Sequence, residues 1–155
     1  MKRTYVFLAG ALASAASAAA VAGAQGGLPA AHSSRVATVE LRHTSLGKIL
    51  ATASGFTLYE FTRDAANRNS CVKISGCAET WPALRTSGRP RAGSGVRASL
   101  LSTITLRGGV KQVTYAGHAL YLYSGDSGPG ETSYVGEKAF GGRWYAVNSS
   151  GRTVK

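Results

Sequence analysis

Acidic side chains, cysteines and long apolar runs are all scarce in this chain of 155 residues. Two cysteines exclude a small domain held together by several disulfides. Seven Asp and Glu side chains stand against 18 Lys and Arg, so the formal net charge is +11. A basic exported protein meets anionic partners, and the alternative is a solvated surface that only keeps the protein soluble. A hydrophobic fraction of 44% is enough to build a core and excludes a disordered chain. The length fits one globular domain.

The one long uncharged run lies at the N-terminus and has the order of a secretory signal peptide. Lys2 and Arg3 precede an Ala-rich segment, and Ala22-Gly23-Ala24 provides a small-x-small cleavage pattern. An uncleaved membrane anchor is the alternative, but a run dominated by Ala and Ser partitions weakly into hydrocarbon. We therefore predict a signal peptide over residues 1–24, a flexible tether over 25–34 and a single domain over 35–155 without a membrane span. The mature protein is then secreted, to the periplasm or to the extracellular space.

An internal repeat organises the rest of the chain, because a segment that begins at Gly47 recurs at Gly109. We place the first copy at about 44–85 and the second at about 103–151. The matching aromatic and acidic residues are Tyr59, Phe61 and Asp64 in the first copy, and Tyr121, Tyr123 and Asp126 in the second. Two diverged copies of one structural unit are the simplest explanation.

Each copy has the pattern of a β-hairpin with an aromatic second strand. Ser54-Gly55 and Ala116-Gly117 lie where the turns need a positive φ, which glycine supplies without steric cost. No segment of the mature chain keeps a 3.6-residue apolar period over 12 residues, although a helical turn fits 96–101. The pattern predicts an all-β fold, mostly antiparallel, in the form of a compact sandwich or barrel-like sheet made from the two hairpin repeats.

These residues resemble a known family of bacterial exported proteins, often lipoproteins, described by a Yx(FWY)xxD motif and as a secreted repeat of unknown function. The motif occurs as Tyr59-Glu60-Phe61-Thr62-Arg63-Asp64 and as Tyr121-Leu122-Tyr123-Ser124-Gly125-Asp126. This chain departs from the family in having no lipobox cysteine, a longer cysteine spacing, and Ala116-Gly117 where Asn-Gly is expected. The resemblance implies a fold and an exported location, and it implies no activity.

Cys71 and Cys77 are the only cysteines of an exported chain, so we predict a disulfide between them. The alternative is a metal or haem site with His43 or His118. The Cys-x-x-Cys-His pattern of c-type haem is absent, and neither histidine is close in sequence to the cysteines. We therefore predict no bound cofactor and no metal.

The remaining candidates are acidic, aromatic and basic residues. Asp64 and Asp126 end equivalent hairpins, where we expect Asx turns; a cation site that uses Asp126 and Glu131 is the alternative. The motif tyrosines and the two tryptophans are expected in the core, unless they are half exposed and stack against a ligand. The candidate binding residues are Trp81, Trp144, Glu131, Arg89 and Arg91.

No catalytic constellation is recognisable: a Gly-x-Ser-x-Gly elbow, a His-Glu-x-x-His pair and a marked pair of carboxylates are all missing. The sequence therefore predicts a non-catalytic exported module that binds or builds in the cell envelope or extracellular space. Its expected partner is an anionic envelope polymer or another extracellular ligand, and not nucleic acid. An accessory metal or redox module is the alternative function.

Overall fold

The computed structural model describes residues 35–155, so the predicted signal peptide and tether lie outside the described residues. The strands in chain order are β1 Thr38–Thr44, β2 Gly47–Thr52, β3 Tyr59–Phe61, β4 Arg85–Thr86, β5 Arg91–Ala92, β6 Leu101–Thr105, β7 Lys111–Tyr115, β8 His118–Ala119, β9 Lys138–Ala139, β10 Gly142–Val147 and β11 Thr153–Val154. One helical turn, α1, spans Cys77–Thr80. The 3-10 turns are Cys71–Lys73, Ala98–Leu100 and Arg107–Gly109.

The strands form three small sheets with the orders β2-β1-β5, β11-β10-β3 and β4-β7-β6, where β9 pairs with β10 and β8 with β7. Every pair is antiparallel except β1 with β5. The all-β prediction is confirmed. The described residues do not form a closed barrel, because strands of two or three residues interrupted by turns do not extend far enough to close.

Both predicted hairpins are present, and glycine makes both turns. In the first, Leu58 N donates to Leu50 O at 3.0 Å across a turn in which Gly55 has a φ of +87°. In the second, β7 and β8 are joined by Ala116 and Gly117, with φ values of +50° and +86°. Two left-handed residues in succession match the right-handed twist of the strands.

The helical segments are short, and the sequence analysis predicted only one of them. The turn expected within 96–101 is the 3-10 turn at Ala98–Leu100. The sequence did not predict the two at the cysteines, where a 3-10 turn begins at Cys71 and α1 begins at Cys77. A single turn is too short to produce a measurable apolar period.

The two copies exchange strands instead of folding side by side. Tyr59 and Tyr121 donate backbone hydrogen bonds to each other, both at 2.9 Å. In β3, Phe61 of the first copy pairs with Trp144 of the second. In the reciprocal contact, Leu122 N of the second copy donates to Pro82 O of the first at 2.9 Å. Each copy therefore completes the sheet of the other.

The loops that follow the motifs are exchanged in the same way. Asn67 N of the first copy donates to Gly117 O in the second hairpin turn at 2.7 Å. Gly130 N of the second copy donates to Gly55 O in the first hairpin turn at 2.9 Å. Asn67 and Gly130 both have positive φ. The contacts of the two copies are thus reciprocal from the strands through to the loops.

The core has two parts. One is aliphatic and is formed by Val39, Leu50, Leu58, Leu84, Val96, Leu101, Val113, Tyr115, Leu120 and Val147. The other is aromatic and also holds the cysteines; it is formed by Tyr59, Phe61, Cys71, Cys77, Trp81, Ala119, Tyr121 and Trp144. Burial of this apolar surface supplies the main stabilisation of the fold.

Candidate functional site

The motif tyrosine of each copy bonds to the motif aspartate of the other. Tyr59 Oη donates to Asp126 Oδ2 at 2.9 Å, and Tyr121 Oη donates to Asp64 Oδ2 at 2.6 Å. Burial, and then the neighbouring carboxylate, raises the pKa of both phenols. Both tyrosines therefore remain protonated donors, and the motif joins the two copies.

The two motif aspartates differ at their second oxygen. Asp64 Oδ1 accepts from the backbone N and the Oγ of Ser70, at 2.7 and 2.6 Å. Asp126 is 2% exposed, and its Oδ1 makes no hydrogen bond of normal geometry among residues 35–155, although Ser133 lies close enough to offset part of the rise in its pKa. Burial is the main cause of the raised pKa of Asp126. Neither aspartate forms the expected Asx turn. Asp64 accepts from Ser70, six residues further along the chain, and Asp126 accepts from Tyr59.

The tryptophans form the centre of a column of stacked rings. Trp81 and Trp144 stack with centroids 3.7 Å apart and an interplanar angle of 2°. Phe61 continues the column beyond Trp144 at 4.1 Å, and Tyr123 continues it beyond Trp81 at 4.7 Å. Trp81 is 1% exposed and Trp144 0%, so neither presents a ring face to a ligand. Their place among the candidate binding residues is corrected to a place in the core.

Cys71 and Cys77 form a disulfide, with their Cα atoms 5.4 Å apart. Both sulfurs are buried beside the tryptophan column, so the bond fixes the segment that leads into Trp81. Because the sulfurs are bonded to each other, neither is a thiolate that could bind a metal. Residues 35–155 contain no cluster of three His, Cys, Asp or Glu side chains with the spacing of a metal site.

The carboxylate of Glu131 caps its own loop. Its Oε2 accepts from Ser127 N at 2.8 Å, and its backbone oxygen accepts from Thr57 Oγ1 at 2.5 Å. These bonds hold the loop of the second copy against the hairpin of the first. The loop of the second copy approaches the first hairpin turn so closely that Gly55 has no room for a side chain, because a Cβ there would lie 2.9 Å from Pro129 Cβ.

Glu60 and His118 form an ion pair that no sequence pattern predicts, since 58 positions separate them. Thr153 Oγ1 also donates to Glu60, which ties β11 to β3. The hydrogen bond with Glu60 is the main cause of the raised pKa of His118. The pair borders a cavity of about 110 Å³ that Asp64 and Ala66 also line. The two carboxylates that line this cavity, Glu60 and Asp64, already accept hydrogen bonds from other residues. The Glu60–His118 pair therefore acts as a structural connection.

A larger groove of about 740 Å³ lies between residues 67–85 of the first copy and residues 104–110 of the second, and it is strongly basic. Its cationic side chains are Arg68, Lys73, Arg85 and Arg107, all of them exposed. No acidic residue lines it, and no carboxylate among residues 35–155 is within ion-pair distance of these four cations. Four uncompensated positive charges around one depression attract an anion.

Three separate segments supply the cations of this basic groove. Arg68 follows Asn67, which is anchored to the second hairpin, and Lys73 ends the 3-10 turn at the disulfide. Arg85 lies on β4, and Arg107 begins the 3-10 turn between β6 and β7. The sequence signal for this site is only the general excess of basic residues, because no two of these cations are neighbours in the chain.

The predicted basic candidates lie elsewhere. Arg89 lines a second depression of about 330 Å³ together with Lys111. Arg91 is exposed on β5, opposite Thr38, and lines neither depression.

Comparison with known proteins agrees with the two-copy organisation. A family model described as a secreted repeat of unknown function matches residues 41–85 and 102–148, which is more than half of the chain. The chain belongs to this family of secreted repeats. The two matched segments coincide with the two predicted copies, and the disulfide agrees with an oxidising environment outside the cell. No curated protein and no solved structure matches the chain. Among residues 35–155, no helix is long and apolar enough to cross a membrane.

Proposed function

We propose that this protein is a non-catalytic exported module that binds an anionic polymer of the cell envelope or extracellular space in the basic groove. The observation that carries the proposal is the grouping of Arg68, Lys73, Arg85 and Arg107 around one depression without a carboxylate. Arginine and lysine bind phosphate and carboxylate groups by charge-assisted hydrogen bonds. The proposal extends the family description, which names secretion and no ligand.

A rigid platform supports this binding role. The disulfide holds Lys73, strand pairing holds Arg85 opposite Gln112, and Asn69 Nδ2 donates to Gln112 Oε1 at 2.7 Å beneath the groove. Preorganised cations lose less conformational entropy when a ligand binds. The proposal assigns no catalytic residue, because the buried carboxylates and His118 are engaged in holding the copies and β11 together.

The first test is binding of two linear polyanions, long-chain polyphosphate and alginate, to the mature protein by isothermal titration calorimetry. We expect at least one polymer to bind, and its affinity to fall steeply as salt is added, since exposed charges are screened within about 10 Å at 0.1 M salt. In R85Q/R107Q the affinity for that polymer should fall about tenfold, because each exposed charge contact contributes up to about 1 kcal/mol.

K48Q/R152Q is the matched control, since both side chains are exposed and neither lines a depression. It removes the same charge and should change the affinity less than twofold. Equal losses in the two double variants would mean that net charge alone attracts the polymer. Absence of binding to both polymers would refute the proposed function.

A further inference from the structure

We infer that the basic groove binds a phosphorylated lipid, with the phosphate among the four cations and the start of the hydrocarbon chain against aliphatic side chains of the same groove. The inference rests on the proposed function, because it uses the same cations. It adds the chemical class of the ligand, which is an anion joined directly to a hydrocarbon chain.

The groove has an aliphatic lining as well as a charged one. The aliphatic side chains that line it are Val72, Ile104, Leu106 and Val110. Val72 is 50% exposed, more than any other large apolar side chain among residues 35–155, and the other three are half-buried. A single exposed valine is common on protein surfaces, but four aliphatic side chains around one depression are not scattered residues. A ligand that carries only charges would gain nothing from this lining, whereas a hydrocarbon chain would be removed from water there.

The exposed position of Val72 is fixed by the residues beneath it. Asn69 Oδ1 accepts from Val72 N at 3.0 Å, and Asn69 Nδ2 donates to Gln112 Oε1 at 2.7 Å. Gln112 is fully buried, and its Nε2 donates to Leu120 O at 2.9 Å. Cys71, directly before Val72, is held in the disulfide. Val72 is therefore preorganised at the groove, and the chain segment that carries it loses little entropy when a ligand covers it.

Charged and aliphatic side chains are interspersed around the groove. Arg85 and Ile104 lie on the same face of their sheet, since both pair directly with Gln112 of β7. Arg107 directly follows Leu106 in the chain, and both line the groove. A ligand that reaches the cations therefore also reaches the aliphatic side chains, as an anion joined to a hydrocarbon chain requires.

The number of cations favours a phosphate head group. Four cations and no carboxylate line the groove, and the single charge of a fatty acid would balance only one of them. A phosphate monoester carries a charge of about −1.5 to −2 at pH 7 and presents three acceptor oxygens to arginine and lysine. Each methylene group of the attached chain that the groove removes from water raises the affinity about fourfold.

The test compares two ligands with the same phosphate group on the mature protein. Dihexanoyl phosphatidic acid is used below its critical micelle concentration, and glycerol 3-phosphate lacks the chains. Affinities are measured from chemical shifts in nitrogen–proton NMR titrations, where the signals of residues 67–73 and 104–110 should move. The phosphatidic acid should bind at least tenfold more tightly, since burial of about two methylene groups is sufficient for that ratio.

Three variants locate the two parts of the ligand. V72T replaces a methyl group by a hydroxyl group of similar size and should lower the affinity for the phosphatidic acid about fourfold, without affecting glycerol 3-phosphate. R85Q/R107Q should weaken both ligands about tenfold. V36T is the matched control, since Val36 is 37% exposed and lines neither depression, and it should change neither affinity more than twofold. Equal melting temperatures establish that the variants are folded.

The possible results separate this inference from the proposed function. Equal affinities for the two ligands, or an unchanged phosphatidic acid affinity in V72T, would overturn the lipid assignment and leave the binding of anionic polymers standing. Binding of phosphatidic acid without binding of polyphosphate or alginate would refute the proposed function and leave the lipid site standing.

A lipid-anchored glycerol-phosphate polymer distinguishes the two sources of such a lipid. Tighter binding of this polymer than of phosphatidic acid, lost when its acyl chains are removed, would identify the anchor of a polymer as the ligand. Weaker binding of the polymer would identify a free phosphorylated lipid. Tight binding that persists after removal of the acyl chains would overturn the lipid assignment.

Discussion

The segment that follows the motif aspartate differs between the two copies in both sequence and position. Counted from the equivalent contacts of Asn67 and Gly130, Arg68 corresponds to Glu131. Lys73 corresponds in the same way to Gly136. In the first copy this segment forms a wall of the basic groove, whereas in the second it folds against the first hairpin turn.

The parts of the repeat that build the fold are the same in both copies, whereas the part that lines the basic groove differs between them. The tyrosine-to-aspartate bonds, the exchanged strands and the stacked tryptophans occur in both copies. The three groove cations of the first copy, Arg68, Lys73 and Arg85, do not recur at the equivalent positions of the second copy. Duplication of a fold element with divergence of its surface loops accounts for both observations.

The largest effect is expected at the tryptophans, where the two copies should behave alike. Trp81→Ala and Trp144→Ala each remove a fully buried indole from the same stack, and each should lower the free energy of unfolding by about 3–5 kcal/mol. Urea denaturation followed by far-UV circular dichroism measures both. A loss in one variant less than half of that in the other would break the equivalence of the copies in the core.

A smaller effect should distinguish the motif aspartates. Asp64→Asn places an NH₂ group where Asp64 accepts three hydrogen bonds, so it should cost about 1–3 kcal/mol. Asp126→Asn keeps an acceptor for Tyr59 and replaces the oxygen that makes no hydrogen bond of normal geometry, so its cost at neutral pH should be small or negative. Urea denaturation of both variants at pH 7 gives the comparison.

The pH dependence of these variants sharpens the distinction. The pKa of Asp126 is raised in the folded state, so the native protein holds this proton more tightly than the unfolded chain does. Ionisation therefore costs stability as the pH rises from the ordinary value of 3.8 through the raised value, and the cost persists above it. Asp126→Asn should gain stability relative to the unmodified protein over this window. A gain of the same size for Asp64→Asn would contradict the difference between the copies.

Local signals in the sequence were sufficient to predict much of the fold. Gly55 and Gly117 marked the turns, the motif spacing marked the two copies, and two cysteines in an exported chain indicated the disulfide. These features depend on residues close together in the chain. The 3-10 turn at Cys71–Lys73 and α1 were missed because one turn has no period to detect.

The exchange between the copies and the basic groove were beyond the reach of the sequence. A repeat pattern is the same whether Tyr59 bonds to the aspartate of its own copy or to Asp126. The groove brings together cations from three segments, and only their arrangement in space distinguishes them from a general basic surface. Burial of both tryptophans likewise depends on the exchange that stacks one upon the other.

The most direct test of the account is to divide the chain between the copies and ask whether either folds alone. Residues 35–94 and 95–155 are prepared as separate polypeptides and examined by near-UV circular dichroism, alone and mixed in equal amounts. Each fragment lacks the partner for its motif tyrosine, its motif aspartate and its tryptophan. The account predicts no ordered aromatic signal from either fragment and recovery of the intact protein's spectrum on mixing. A folded, monomeric fragment with its own aromatic signal would contradict it.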